Sequence, residues 1–117
     1  MFSGSRFKIV IIAASVAALA ACSQSPQDAQ ADAVLKGARA RAGQIRQQAG
    51  AQARALDERS KSLGDQAKQT GGYTGQGLKV QADAFAHQAD ILREQGEAQA
   101  GAVVEAADAQ AKAIHSR

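Results

Sequence analysis

The chain carries one thiol, Cys22, and two imidazoles, His87 and His115. Side chains of these kinds attack carbonyls, move protons or bind metals. A single cysteine cannot close an internal disulfide, so the chain is not a disulfide-framed module. The histidines are far apart in sequence, and no Cys/His group has metal-ligand spacing. His87 lies near Asp83 and Asp90, as expected of an imidazole on a helix surface. His115 suits a last helical turn, where a cation meets unpaired carbonyls. Asp90 and Glu94, or Glu94 and Glu97, share a helix face. Acid–base work by such a pair needs a cleft that separates their proton affinities, and solvated surface charge is the expectation here. The serines have no neighbouring histidine to activate them. Gly71–Gly77 is rich in glycine but lacks the Lys-Ser/Thr pair and the preceding strand of a phosphate loop. The chain is therefore read as non-enzymatic, with no catalytic residue, metal or non-covalent cofactor.

Cys22 has a more specific setting. Arg6 and Lys8 supply a short basic start, and Ile9–Ala21 is an apolar run broken only by Ser15. As a helix this run spans about 20 Å, short of the ~30 Å hydrocarbon core of a bilayer. Residues 1–21 thus read as a processed secretory signal peptide rather than a permanent span. Leu19, Ala20 and Ala21, followed by Cys22, resemble the lipobox of bacterial lipoproteins, with a branched apolar residue three positions before the cysteine. The resemblance covers about the first 22 residues and implies peptidase recognition through Leu19, Ala20 and Ala21. It further implies diacylglycerol on the Cys22 thiol and an N-acyl lipid such as palmitate on the new amine. Acyl chains bury methylenes at about 0.8 kcal/mol each, enough for stable attachment to a lipid bilayer. In Gram-negative lipoproteins, a residue other than aspartate after the cysteine is compatible with outer-membrane delivery. Ser23 therefore implies the periplasmic face of the outer membrane, with the inner membrane as the alternative.

Removing Arg6 and Lys8 leaves twelve basic residues against eleven acidic ones. The precursor's pI of 9.4 therefore overstates the basic character of the mature chain, and nucleic acid is not an expected partner. Tyr73 and Phe85 are the only aromatic residues after Cys22, so there is no stacking platform for bases. Large apolar residues are sparse. Such a composition suits thin, closely approached helix pairs whose contact residues are Ala and Gly.

Residues 22–27, with Pro26, read as a lipidated tether. Residues 28–70 have no proline and abound in Ala, Gln and Arg, which lose little side-chain freedom in a helix. Leu35, Ala38, Ala42, Ile45, Ala49, Gln52, Leu56, Arg59 and Leu63 succeed one another by threes and fours, marking one helix face. Gly71–Gly77 predicts a turn, since four glycines in seven residues provide freedom to reverse the chain. In the second helix, 78–117, the matching face is Leu78, Ala82, Phe85, Ala89, Leu92, Gly96, Gln99, Val103 and Ala106, extended by Ala113 or Ile114. Gly43, Gly50 and Gly64 share a seven-residue register, which fits either close approach of another backbone or the Ala/Gly-rich composition alone.

The expected fold is all-α, an antiparallel helical hairpin after an N-terminal signal helix. One long kinked helix in a coiled-coil oligomer is the alternative. Folding about Thr74 sets Leu63 near Phe85, Leu56 near Leu92, Ile45 near Val103 and Leu35 near Ala113. Leu35, Ile45, Leu56, Leu63, Phe85, Leu92 and Val103 are thus the expected packing residues. Residues 36–70 carry eight basic and three acidic side chains, and 78–117 carry four and six, which favours antiparallel pairing. The leading functional expectation is a membrane-anchored structural or protein-interaction lipoprotein of the bacterial cell envelope. Its candidate partners are an envelope protein complex, peptidoglycan or another copy of itself. The architecture loosely resembles the small Ala-rich murein lipoproteins. That family tends to form one unbroken helix ending in a wall-linked lysine, whereas this chain has a glycine-rich break and ends in Arg117. A cationic amphipathic, membrane-active or toxin-like lipopeptide is the alternative, centred on Lys36–Lys68 but lacking aromatic anchors.

Overall fold

A computed structural model describes residues 25–117, which form two helices, α1 (Pro26–Thr70) and α2 (Gly72–His115), packed antiparallel as a hairpin. Among the described residues there is no strand. The alternative of one long kinked helix is excluded. The expected signal peptide, Leu19–Ala21 and the lipid-bearing Cys22 lie outside the described residues.

Local signals set the ends of both helices. The Ser25 hydroxyl accepts a hydrogen bond from the Asp28 amide at 3.2 Å, Pro26 takes the first helical position, and Asp28 adds negative charge to the first turn. Each satisfies or complements the unpaired N–H groups there. The first helix thus begins two residues before the expected 28, because Pro26 is a favoured first residue rather than part of a tether. At the other end of the hairpin, Ser116 caps α2 by donating its amide to the Lys112 carbonyl at 3.1 Å, with Lys112 and His115 in the last turn.

The turn is much tighter than Gly71–Gly77. Among the described residues Gly71 (φ 64°, ψ 179°) and Gly72 (φ 62°) alone have positive φ, and a backbone like that of Gly71 is essentially restricted to glycine. Gly71 donates its amide to the Ala67 carbonyl, and α2 begins at once, with Gly75 donating to the Gly71 carbonyl, both at 3.0 Å. Tyr73–Gly77, expected in the turn, are helical. Gly75 serves packing: a Cβ there would lie 2.7 Å from the Ala67 carbonyl oxygen.

Moving the pivot from Thr74 to Gly71–Gly72 shifts the register by about one helical turn. Arg46 meets Glu97, Asp28 meets His115, and Ser60 meets the Ala82 carbonyl. At the open end Ala31, Ala111 and Ile114 form a buried cluster with Val34 and Leu35 against it. Leu35 therefore packs with Ala111 and Ile114, while the expected Ala113 is exposed.

The core is made of alanine. Ala53, Ala89 and Ala100 are wholly buried, with Ala31, Ala38, Ala42, Ala82, Ala107 and Ala111 close behind. Leu35, Ile45, Leu56, Leu63, Phe85, Leu92 and Val103 are all half-buried. Methyl-sized contacts let helix axes come near the ~8 Å lower limit of packing, leaving larger side chains to flank the seam.

Four expected seam residues, Gln52, Arg59, Gln99 and Ala106, are exposed, and Ala53, Ser60, Ala100 and Ala107 stand in their places. A strict seven-residue repeat drifts by ~20° per heptad on a straight helix, and an eleven-residue step restores the face. Both helices make that correction midway along the hairpin and again toward its open end, at Val34–Ala38–Ala42 and Val103–Ala107–Ala111. Ile45–Ala49–Ala53 and Leu92–Gly96–Ala100 each take two consecutive steps of four, with Ala49 and Gly96 at the centres.

Candidate functional site

The side chains suited to chemistry do not converge. His115 Nδ1 lies 3.1 Å from Asp28 Oδ1 at the open end of the hairpin, while His87 is exposed on α2. Among the described residues, no three His, Cys, Asp or Glu side chains group closely enough to hold a metal ion. Two of the carboxylates that share a face on α2, Glu97 and Asp90, are bound by different arginines. Glu97 accepts from Arg46 at 2.8, 2.9 and 3.2 Å. Arg93 reaches across to Asp57 and also contacts Asp90 of its own helix at 3.3 Å. Sequence spacing does not single out Asp57 as a cross-helix partner. Its charge runs against the expected pattern, since here α1 supplies the acid.

Hydrogen bonding from Arg46 is the main cause that lowers the Glu97 pKa, and the same contact raises that of Arg46. Hydrogen bonding to Asp57 is the main cause raising the Arg93 pKa. The Arg46 and Glu97 side chains are 48% and 66% exposed, so water and salt screen the pair strongly.

Ser60 is a second residue outside the expected set. Its hydroxyl donates to the Ala82 carbonyl at 2.7 Å in a half-buried setting. The sequence does hold a signal for it, since Ser60 lies four residues after Leu56 and three before Leu63. The glycines expected to share a register behave differently from Gly75 and Gly96. A Cβ on Gly43, Gly50 or Gly64 would meet nothing within 4 Å. They admit no close approach of α2, which agrees with the compositional reading. At the turn, an open hollow of about 520 Å³ lies between Lys68, Gly71, Gly75 and Lys79.

The hairpin is a ribbon with two unlike broad faces on either side of the Ala49–Gly96 contact. One groove beside Ala49 is lined by Arg46, Gly50, Arg54, Arg93 and Glu97. The groove on its other side is lined by Ile45, Leu92 and four glutamines, Gln48, Gln52, Gln95 and Gln99. Asp28 precedes Arg46, and Glu97 precedes His115, by eighteen residues, five full turns at 3.6 residues per turn. Asp28–His115 therefore shares the charged face with Arg46–Glu97, and Arg93, which reaches Asp57, lines the same groove. Val34 and Val103 line another groove on the glutamine side. Ile45 and Leu63, like Phe85 and Val103, repeat after the same five turns. Ile45, Leu63, Phe85, Leu92 and Val103 thus lean to the glutamine side, whereas Leu35, eleven residues before Arg46, stands on the charged side.

The chain matches no family model, no curated protein and no solved structure. Its functional reading rests on these faces and on the N-terminal residues.

Proposed function

We propose that the chain is a membrane-anchored structural or protein-interaction lipoprotein of the bacterial cell envelope, held in the bilayer by acyl chains on Cys22. One observation carries this reading. Cys22 comes directly after Leu19-Ala20-Ala21 and precedes the Ser25 cap and the start of α1 at Pro26 by only a few residues. A lipid there would be joined almost directly to a helix of about 65 Å at 1.5 Å per residue. The hairpin then stands out from the membrane surface and presents its two faces laterally. No helix among the described residues is long and apolar enough to cross a membrane, which suits an anchor supplied by the lipid. Signal-peptidase recognition belongs to Leu19, Ala20 and Ala21, and the periplasmic face of the outer membrane is the proposed location.

The cationic membrane-active alternative has less support. The apolar stripe of α1 on which it depends is packed against α2.

Cys22→Ser tests the anchor, since it removes the only sulfur able to carry diacylglycerol with little change in volume. Metabolic labelling with a lipid precursor is expected to disappear and uncut precursor to accumulate. Unchanged mass and unchanged membrane fractionation would reject the reading. Sucrose-gradient recovery of the wild type in the inner membrane would reject the outer-membrane location alone.

A further inference from the structure

We infer that the glutamine-lined face is a dimer interface, on which a second copy of the chain sits to complete a four-helix bundle. Ile45 and Leu92 open onto one groove of this face, and Val34 and Val103 onto another. Among the described residues no large side chain is completely buried. The hairpin closes on its alanines and leaves Val34, Ile45, Leu92 and Val103 half-covered on this side. The cross-helix contacts Arg46–Glu97, Arg93–Asp57 and Asp28–His115 lie on the other side, so none needs to be broken to cover this one.

Size and charge identify the occupant. The face is about 65 Å long at 1.5 Å per residue and about 10 Å wide at the spacing of packed helices. It approaches the ~800 Å² per partner of a standard protein interface. α1 carries eight basic and five acidic residues, and α2 carries three and six. A two-fold axis running along the hairpin lays α1 on the partner's α2, which makes every neighbouring pair antiparallel and opposite in net charge. An axis across the hairpin would lay α1 on α1 and α2 on α2, like charge on like. The first arrangement also puts both chain starts at the same end, as two anchors in one bilayer require; that last point rests on the lipoprotein reading, whereas the charge argument does not.

The test uses the full chain carrying Cys22→Ser, so that each introduced thiol is unique, purified in mild detergent and spin-labelled at one position per chain. Gln52→Cys reports the glutamine face, Arg54→Cys the opposite side, and Gln30→Cys, five turns before Gln48, the open end. Bundle spacing plus label arms predicts interchain distances of about 15–25 Å at Gln52 and Gln30 and beyond ~30 Å at Arg54. Light scattering should give twice the chain mass, with circular dichroism unchanged among the variants. A monomeric mass, or distances that do not distinguish Gln52 from Arg54, would overturn the dimer. The latter result would locate association in the first 24 residues. A short distance at Gln52 with one near ~60 Å at Gln30, the hairpin's length at 1.5 Å per residue, would overturn the same-end arrangement. Lipid labelling of the wild type is read separately, so loss of the anchor and loss of the dimer remain distinct results.

Discussion

Gly96 faces Ala49 so closely that a Cβ built on Gly96 would fall 2.4 Å from the Ala49 Cβ. The contact sits where both helices take two consecutive steps of four, midway along the hairpin. Two rigid groups meet there, and neither has a side-chain torsion with which to move aside. Only separation of the helices can relieve an added methyl.

Gly96→Ala is therefore expected to destabilise the hairpin by about 1–3 kcal/mol, the usual range for overpacking. The gain in helix propensity, about 1 kcal/mol, only partly offsets this. Ala49→Gly in the same chain should restore part of the loss by reopening the space. Gly50→Ala, one residue from Ala49 but open within 4 Å, should instead stabilise by about 0.5–1 kcal/mol. Urea unfolding monitored by circular dichroism compares them; equal effects at Gly96 and Gly50 would remove the packing role from Gly96.

The reversal depends on Gly71 through conformation and on Gly75 through space. Gly71→Ala imposes a backbone rarely adopted by L-residues, at a cost of about 1–3 kcal/mol. Gly75→Ala drives a methyl toward the Ala67 carbonyl and should cost about as much by overpacking. Gly77→Ala meets nothing within 4 Å and should be neutral or stabilising. Thermal melts of the three variants would rank Gly77→Ala highest; equal losses at all three positions would support the wider turn.

Ser60→Ala removes the hydroxyl that joins α1 to the Ala82 carbonyl. A loss of about 0.5–1.5 kcal/mol is expected, the net value of an ordinary hydrogen bond. Ser62→Ala, two residues along and exposed, provides the comparison and should change stability very little. If Ser62→Ala cost as much as Ser60→Ala, the measurement would be reporting helix content rather than the bond.

Arg46 holds the Glu97 carboxyl below its ordinary pKa. A lowered folded-state value means that the pair's contribution is complete above the unfolded carboxylate pKa and is lost as pH falls through the folded value. Glu97→Gln should therefore be less stable than wild type at neutral pH and low salt, and the two should converge on acidification. The gap is expected to be small and to shrink with salt, since both side chains are largely open to solvent. Thermal melts across the acidic range check this. A gap that persisted undiminished at low pH would show that packing by Glu97, rather than its charge, matters.

Helical periodicity, alanine content and the glycine break determined the all-α hairpin, because these are local properties of the backbone and of side-chain spacing. They also picked out Leu35, Ile45, Leu56, Leu63, Phe85, Leu92 and Val103, all of which are half-buried. Local rules could not choose between Thr74 and Gly71–Gly72 as the pivot, since every glycine from 71 to 77 offers the same freedom until long-range packing selects which residues use it. Nor could a seven-residue template find Ala53, Ser60, Ala100 and Ala107. The correction to the face is made where two helices of nearly straight course must stay in contact over their whole length. The tertiary structure also decided that alanines would fill the centre and that most of the larger groups would flank it. An alanine can occupy the line of closest approach only once the other helix is there, and Leu or Ile must then lean away from it.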